Sequence, residues 1–281
     1  MRHNLRNITL ILFIFLMAGT SCKKGSIETN YNPSLNVANN QVIAERAYSQ
    51  VFNIFFMVVS DSVLKTTGSN TVFGAVCTYQ DTNGIVYVID YGEYYNQCPD
   101  GKDRKGTITA TLDKDFTEVG AIATLSFSEY VVDDLMLSGD NTISNSGMDV
   151  SMLQTYEHIV PAATVTFYDS VSHGNYQWGS SKMFTWAEGM GTPTFFDDDV
   201  FELSGSSNGK DLNGVSFSCL TEESLGNYFN CRWIRTGRTY ISTPDLDVQN
   251  GYIDYIGEES CTNQVIYYFN GNPFYDQFDK H

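Results

Sequence analysis

Residues 71–91, TVFGAVCTYQDTNGIVYVIDY, decide the fold. Two runs rich in β-branched and aromatic side chains flank Asp81-Thr82-Asn83-Gly84. Asn-Gly readily takes the positive φ angles of a tight turn, so this stretch predicts an antiparallel hairpin. The same grammar continues downstream. Apolar-rich runs at 106–112, 121–127, 130–138, 149–158, 163–168, 176–186, 200–204, 215–220, 232–242, 252–256 and 264–269 are separated by Gly, Asn, Asp and Ser. No helical period lies between them, whereas parallel strands need long crossovers, usually helices. The chain is therefore expected to be mainly β: an antiparallel meander, as a β-sandwich or a stacked sheet.

Upstream the period changes. Ile43, Ala47, Val51, Phe55, Val58 and Ser62 step by three or four residues, which predicts one N-terminal α-helix over about residues 39–65. Its apolar stripe should pack on the sheet. Residues 88–92 (VIDYG) before Cys98 echo residues 252–257 (YIDYIG) before Cys261. The expected domain is thus residues 39–281, a single helix-plus-β unit with room for two related β halves.

The first residues obey another logic. Arg2 and Arg6 precede the apolar run 10–18 (LILFIFLMA), and Gly19, Thr20 and Ser21 lead into Cys22. A core this short cannot span a bilayer of ~30 Å as a permanent helix, and small residues mark a cleavage site. The pattern predicts a lipoprotein signal peptide over 1–21, with Cys22 carrying diacylglycerol and an acyl chain such as palmitate. Residues 22–38, with Gly25, Ser26, Asn30, Asn32 and Pro33, then read as a flexible tether. The expected location is the cell envelope, on an outer-membrane lipid anchor facing the periplasm or the surface. Lys23-Lys24, in place of acids after the cysteine, leans towards the periplasm.

Charge and cysteines narrow the classes. The net charge is −17, and −19 once Arg2 and Arg6 leave with the signal. Such a surface repels phosphate backbones and anionic lipid headgroups, so nucleic acid is excluded as a partner. Beyond Cys22 five cysteines remain: Cys77, Cys98, Cys219, Cys231 and Cys261. A hairpin centred near Leu225, with Gly226 and Asn227 in its turn, would pair Cys219 with Cys231, and Cys98 with Cys261 is the second candidate. None stands in a C-x-x-C pair, which argues against zinc.

Catalytic patterns are few. Apart from His3 in the signal and His281 at the end, only His158 and His173 exist, and neither belongs to an H-x-x-x-H or H-E-x-x-H motif. Asp197, Asp198 and Asp199, beside Glu202, offer hard oxygen ligands for Ca²⁺, as do Asp100 and Asp103, though without EF-hand spacing. Aromatic side chains near loops are Tyr94, Tyr95, Tyr176, Trp178, Trp186, Phe195, Phe196, Tyr228 and Phe229. Residues 185–199 combine Gly, Pro, rings and carboxylates, which makes Trp186, Phe195 and Phe196 the preferred ligand contacts.

Several motifs occur as a set: Ile89-Asp90-Tyr91-Gly92, Cys98, Asp100-Gly101, residues 104–108 (RKGTI), residues 198–205 (DDVFELSG), Cys231-Arg232-Trp233-Ile234 and Ile253-Asp254-Tyr255. The set resembles a recurrent pattern in uncharacterised all-β outer-membrane lipoproteins of the Bacteroidota, over about residues 39–270. The resemblance implies an N-terminal helix and an all-β body and carries over no activity. Cys77 and Cys219 look like additions to that pattern, so a Cys219–Cys231 bridge would be particular to this chain.

The expectation is a lipid-anchored binding or structural interaction module without catalytic activity, met by a protein partner in the envelope. The alternative is a glycan-binding β-sandwich, with glycoside hydrolysis behind it.

Overall fold

The computed structural model describes residues 33–168, 174–192, 195–257 and 260–277. Cys22, the expected signal, residues 22–32 of the tether and His173 lie outside the described residues. Pro33 opens helix α1, Pro33–Ser60. Proline fits a first helical position because the N–H it lacks has no intrahelical partner there. Residues 33–38 therefore belong to the helix and not to the expected tether. Asp61 ends the run and caps a second, short helix, α2 (Ser62–Thr67), by accepting from the Leu64 N–H at 2.6 Å. Gly68, at φ 78°, closes α2, where glycine alone is unstrained.

Every residue from Asn40 to Val59 is buried. A helix hidden on all faces must be surrounded, and the sheet does this. Its strands are β1 (Ser69–Val72), β2 (Ala75–Gln80), β3 (Ile85–Asp90), β4 (Asn96–Gln97), β5 (Asp103–Leu112), β6 (Ile122–Val132), β7 (Leu135–Ser138) and β8 (Asn141–Met148). They continue as β9 (Gln154–Phe167), β10 (Gly174–Glu188), β11 (Val200–Lys210), β12 (Ser216–Tyr228), β13 (Ile234–Ser242), β14 (Gly251–Tyr255), β15 (Gln264–Phe269) and β16 (Asn272–Gln277).

These form a single antiparallel meander from β1 to β16, with β4 added on β5 and β8 wedged between β6 and β9. The meander is as expected, but it is one sheet and not a sandwich of two. Side chains of α1 reach strands all along it. Gln50 bonds Arg104 of β5, Tyr48 the Ser138 carbonyl of β7, Gln41 Trp178 of β10 and Ser207 of β11, and Asn53 bonds Asn227 of β12. Arg46 lies 4.8 Å from the Trp233 ring and 5.8 Å from that of Tyr255 in β14. By length and hydropathy α1 would pass for a membrane span, yet 94% of its most apolar window is inside the sheet.

Strand continuity exceeds what local patterning suggests. The runs 121–127 and 130–138 are joined through Glu129, at φ 49°, where β6 bulges against Gly106 of β5. Conversely, the run 71–80 is cut by a tight turn at Phe73-Gly74, with φ 48° and 84°. The expected hairpin at residues 81–84 is present, with Gly84 at φ 106°.

The cysteine pairing departs from expectation. Gly226 and Asn227 continue β12 opposite Glu202 and Phe201 of β11, and the chain turns only after Tyr228. Cys219 and Cys231 thus stand about nine strand residues apart, on the order of 25–30 Å. The disulfide is Cys231–Cys261, and Cys77, Cys98 and Cys219 are free, buried thiols, so Cys98 does not join Cys261. Bridging a separation of 30 residues limits the unfolded chain by about 3–4 kcal/mol. Cys231→Ser is expected to lower stability by about that amount in urea unfolding, and peptide mapping should find Cys231 joined to Cys261.

Inside the sheet, Glu45 of α1 and Lys182 of β10 form an ion pair at 3.0 Å with both side chains 2% exposed. Gln41 donates to the same carboxylate at 2.8 Å, and Lys182 donates to Thr221 at 3.0 Å. A buried charge left alone is far costlier than the pair contributes. Lys182→Met should therefore cost about 3–5 kcal/mol in chemical unfolding, and adding Glu45→Leu to it should recover a large part of that loss.

Candidate functional site

Register places the turns 113–121, 149–153 and 189–199 at one end of the sheet, because Leu112, Met148 and Glu188 are the last residues before each turn. The C-terminal end of α1 comes out at the same end, since Phe56 packs on Trp186, Tyr156 and Phe201. Between α1, α2 and these turns lies a cleft of 330 Å³, walled by Phe56, Phe116, Tyr156 and Trp186 and entered past Lys65 and Thr117. The Phe116 and Tyr156 rings stack at 5.5 Å, while Phe56 meets Trp186 edge-on at 5.1 Å. At the lip Lys65 donates to Asp115 at 3.1 Å.

Behind the ring wall stands Asp199. It is 1% exposed, and its Oδ1 accepts from Trp186 Nε1 at 3.1 Å. Its Oδ2 is buried with no hydrogen-bond partner. Burial without a second donor pushes this carboxyl up to about 7, against which the Trp186 hydrogen bond works. Tyr156, also buried, is pushed up by desolvation and by the Asp199 charge.

The turns carry internal hydrogen bonds. Asp149 Oδ1 accepts from the Ser151 and Leu153 N–H groups, Asp115 Oδ1 from the Thr117 N–H and hydroxyl, and Asp198 from the Thr192 hydroxyl. Phe116 is fixed by Asn145 Nδ2, which donates to its carbonyl at 2.9 Å. These turns also hold apolar side chains in water. Val119, Met148, Val150, Met152, Met190 and Phe195 are all exposed around the cleft.

The sequence-derived contacts divide accordingly. Trp186 lines the cleft, Phe195 is 55% exposed and does not line it, and Phe196 packs inward against Phe56 and Phe229. Of the other aromatics near loops, Tyr94 and Tyr95 are exposed, whereas Tyr176 and Trp178 are buried. Phe56, Phe116 and Tyr156 were not singled out by sequence. Phe116 gave the one available signal, a ring inside the polar turn Lys114-Asp115-Phe116-Thr117 that the turn itself does not need.

The expected Ca²⁺ ligands are not assembled. Among the described residues no group of three or more His, Cys, Asp or Glu is placed to hold a metal ion. Asp199 faces inward to Trp186, while Asp197 and Glu202 are exposed. Asp100 is clasped by both Arg104 amino groups at 2.7 and 2.6 Å, which uses the oxygens a cation would need. His158 is a core residue. It bonds Asn141 at 3.0 Å among Tyr48, Phe52 and Phe184, and burial holds it neutral with a pKa of about 3.

No family model, no curated protein and no solved structure matches this chain.

The Asp199 carboxyl, raised from 3.8 to about 7, links stability to pH. Between those values the folded chain keeps a proton that the unfolded chain has lost, so this contribution fades as pH rises from 4 to 7 and is gone above 7. At about 1.4 kcal/mol for each pH step between the two values, its size is on the order of 4 kcal/mol. Urea midpoints measured across that window should therefore fall less with rising pH in Asp199→Asn than in the parent protein.

Proposed function

We propose that this chain is a lipid-anchored binding module of the cell envelope, held at the outer membrane through Cys22, and that it docks a protein partner at the cleft end of its sheet. The observation that carries the reading is the set of hydrogen-bonded turns that keep Val, Met and Phe side chains in solvent around a ring-lined cleft. Isolated exposed apolar residues need no explanation, but a group of them beside a concave aromatic site has the composition of an interface centre. A large apolar side chain of the partner fits the cleft as an anchor. Asp115, Glu118, Asp149, Asp197 and Asp198 in these turns, with Glu188 at the end of β10, outnumber Lys114 and Lys65 of α2, which favours a partner with a basic rim.

Lipid anchorage rests on residues 1–24, and the periplasmic lean on Lys23-Lys24. A photo-reactive residue at Met148 should form a defined protein adduct in intact cells, whereas the same residue at Leu246, exposed in the turn after β13 at the far end, should not. Val119→Lys should cut recovery of that adduct about tenfold with the unfolding midpoint unchanged. Equal adducts at both positions would overturn docking at the cleft. Incorporation of labelled fatty acid that persists in Cys22→Ala would separately overturn the anchor.

A further inference from the structure

At the other end of the sheet, on its outer face, five side chains stand directly opposite one another across five adjacent strands. They are Leu220 of β12, Tyr240 of β13, Tyr252 of β14, Tyr268 of β15 and Pro273 of β16. Strands lie about 4.8 Å apart, so the row crosses roughly 19 Å. Cys219, Ile241, Ile253, Tyr267 and Phe269, one residue away along β12 to β15, are buried in the core. Alternation along a strand therefore turns the row outward.

The three tyrosines, with Arg238, Asn250 and Asn270, line a groove of 480 Å³. Tyr240 and Tyr252 have ring centroids 5.3 Å apart and planes tilted by 56°, so their faces form a shallow trough. Arg238 donates to both oxygens of Asp254 at 2.6 and 2.7 Å, which holds its guanidinium 5.5 Å from the Tyr252 ring and braces that ring. Asn250 Oδ1 accepts from the Thr243 N–H at 2.9 Å, a bond that fixes the amide beside the trough.

The lining selects the occupant. A hexose has an apolar C–H face and a margin of hydroxyls. Tyrosine faces take the first, and the Asn250 and Asn270 amides and the phenol hydroxyls take the second. An acyl chain or an apolar helix laid here would desolvate those polar groups without replacing their hydrogen bonds, which is unfavourable. Asp254, Glu223 and Glu222 stand near Arg238 beside the row in a chain of net charge −17, and this repels anionic sugars.

We propose that the Tyr240–Tyr252–Tyr268 row is a binding site for a neutral polysaccharide chain lying across the strands. This site is separate from the cleft, and it stands or falls independently of the protein partner proposed there.

The test is affinity electrophoresis of the purified full chain through gels containing soluble starch, laminarin, xylan or galactomannan, with polygalacturonate as the anionic comparison. At least one neutral polymer should retard the protein, and polygalacturonate should not. For the retarding polymer, Tyr252→Ala and Tyr268→Ala should each weaken binding about tenfold. Tyr252→Phe, which keeps the ring, should stay within about threefold of the parent, and Tyr94→Ala, an exposed tyrosine outside the row, should be unchanged. Circular dichroism checks that each variant remains folded. Absence of retardation by all four neutral polymers would overturn the proposal. So would undiminished retardation of the alanine variants, or loss of a co-purifying protein in Tyr252→Ala with no glycan bound by the parent.

Discussion

Glu45 and Lys182 meet inside the sheet, and much of the architecture answers to that contact. A helix carrying Gln41, Glu45, Arg46, Gln50 and Asn53 cannot lie against one apolar face and leave these groups dry and unpaired. Together they find partners on β5, β10, β11, β12 and β14. The sheet must therefore curl around α1 and stay in one register, because a one-residue slip of β10 would turn Lys182 outward and strand Glu45. Apolar packing supplies most of the burial. The polar groups specify which packing is allowed.

That arrangement also separates the two ends. At one end α1 runs out among rings, and the turns that close the sheet leave a cleft above Phe56. At the other the outer face is free to carry side chains that the core does not need, and the tyrosine row lies there. The free edges, β1 and β16, sit at opposite ends of the strand order. They are short, at four and six residues, which limits edge-to-edge association.

Much of the fold was legible. The Asn83-Gly84 turn, the alternation after residue 71 and the stripe from Ile43 to Val58 are local signals, and each produced the element it predicted. What stayed hidden depends on distant partners. Gly226-Asn227 has the composition of a turn, but β11 and β13 flank it and hold it extended, and this moved the disulfide to Cys231–Cys261. β8 (NTISNSGM) is polar enough to pass for a loop and becomes a strand only because β6 and β9 bracket it. The cleft was half visible. Trp186 was found from its loop, whereas Phe56 looked like any core residue of α1. Nothing local says that the Tyr240, Tyr252 and Tyr268 positions will align, since register is set by the turns between them.

The distances along the chain in the α1 contacts carry one more consequence. Gln41 bonds a residue 137 positions later, Asn53 one 174 later and Gln50 one 182 later. A ribosome delivers α1 first, so the helix emerges long before the strands that will enclose it, its apolar and ionic groups open to water and to other chains. Closure over so many residues is entropically slow, and until β12 is made the nascent polypeptide is a client for holding chaperones and a target for proteases.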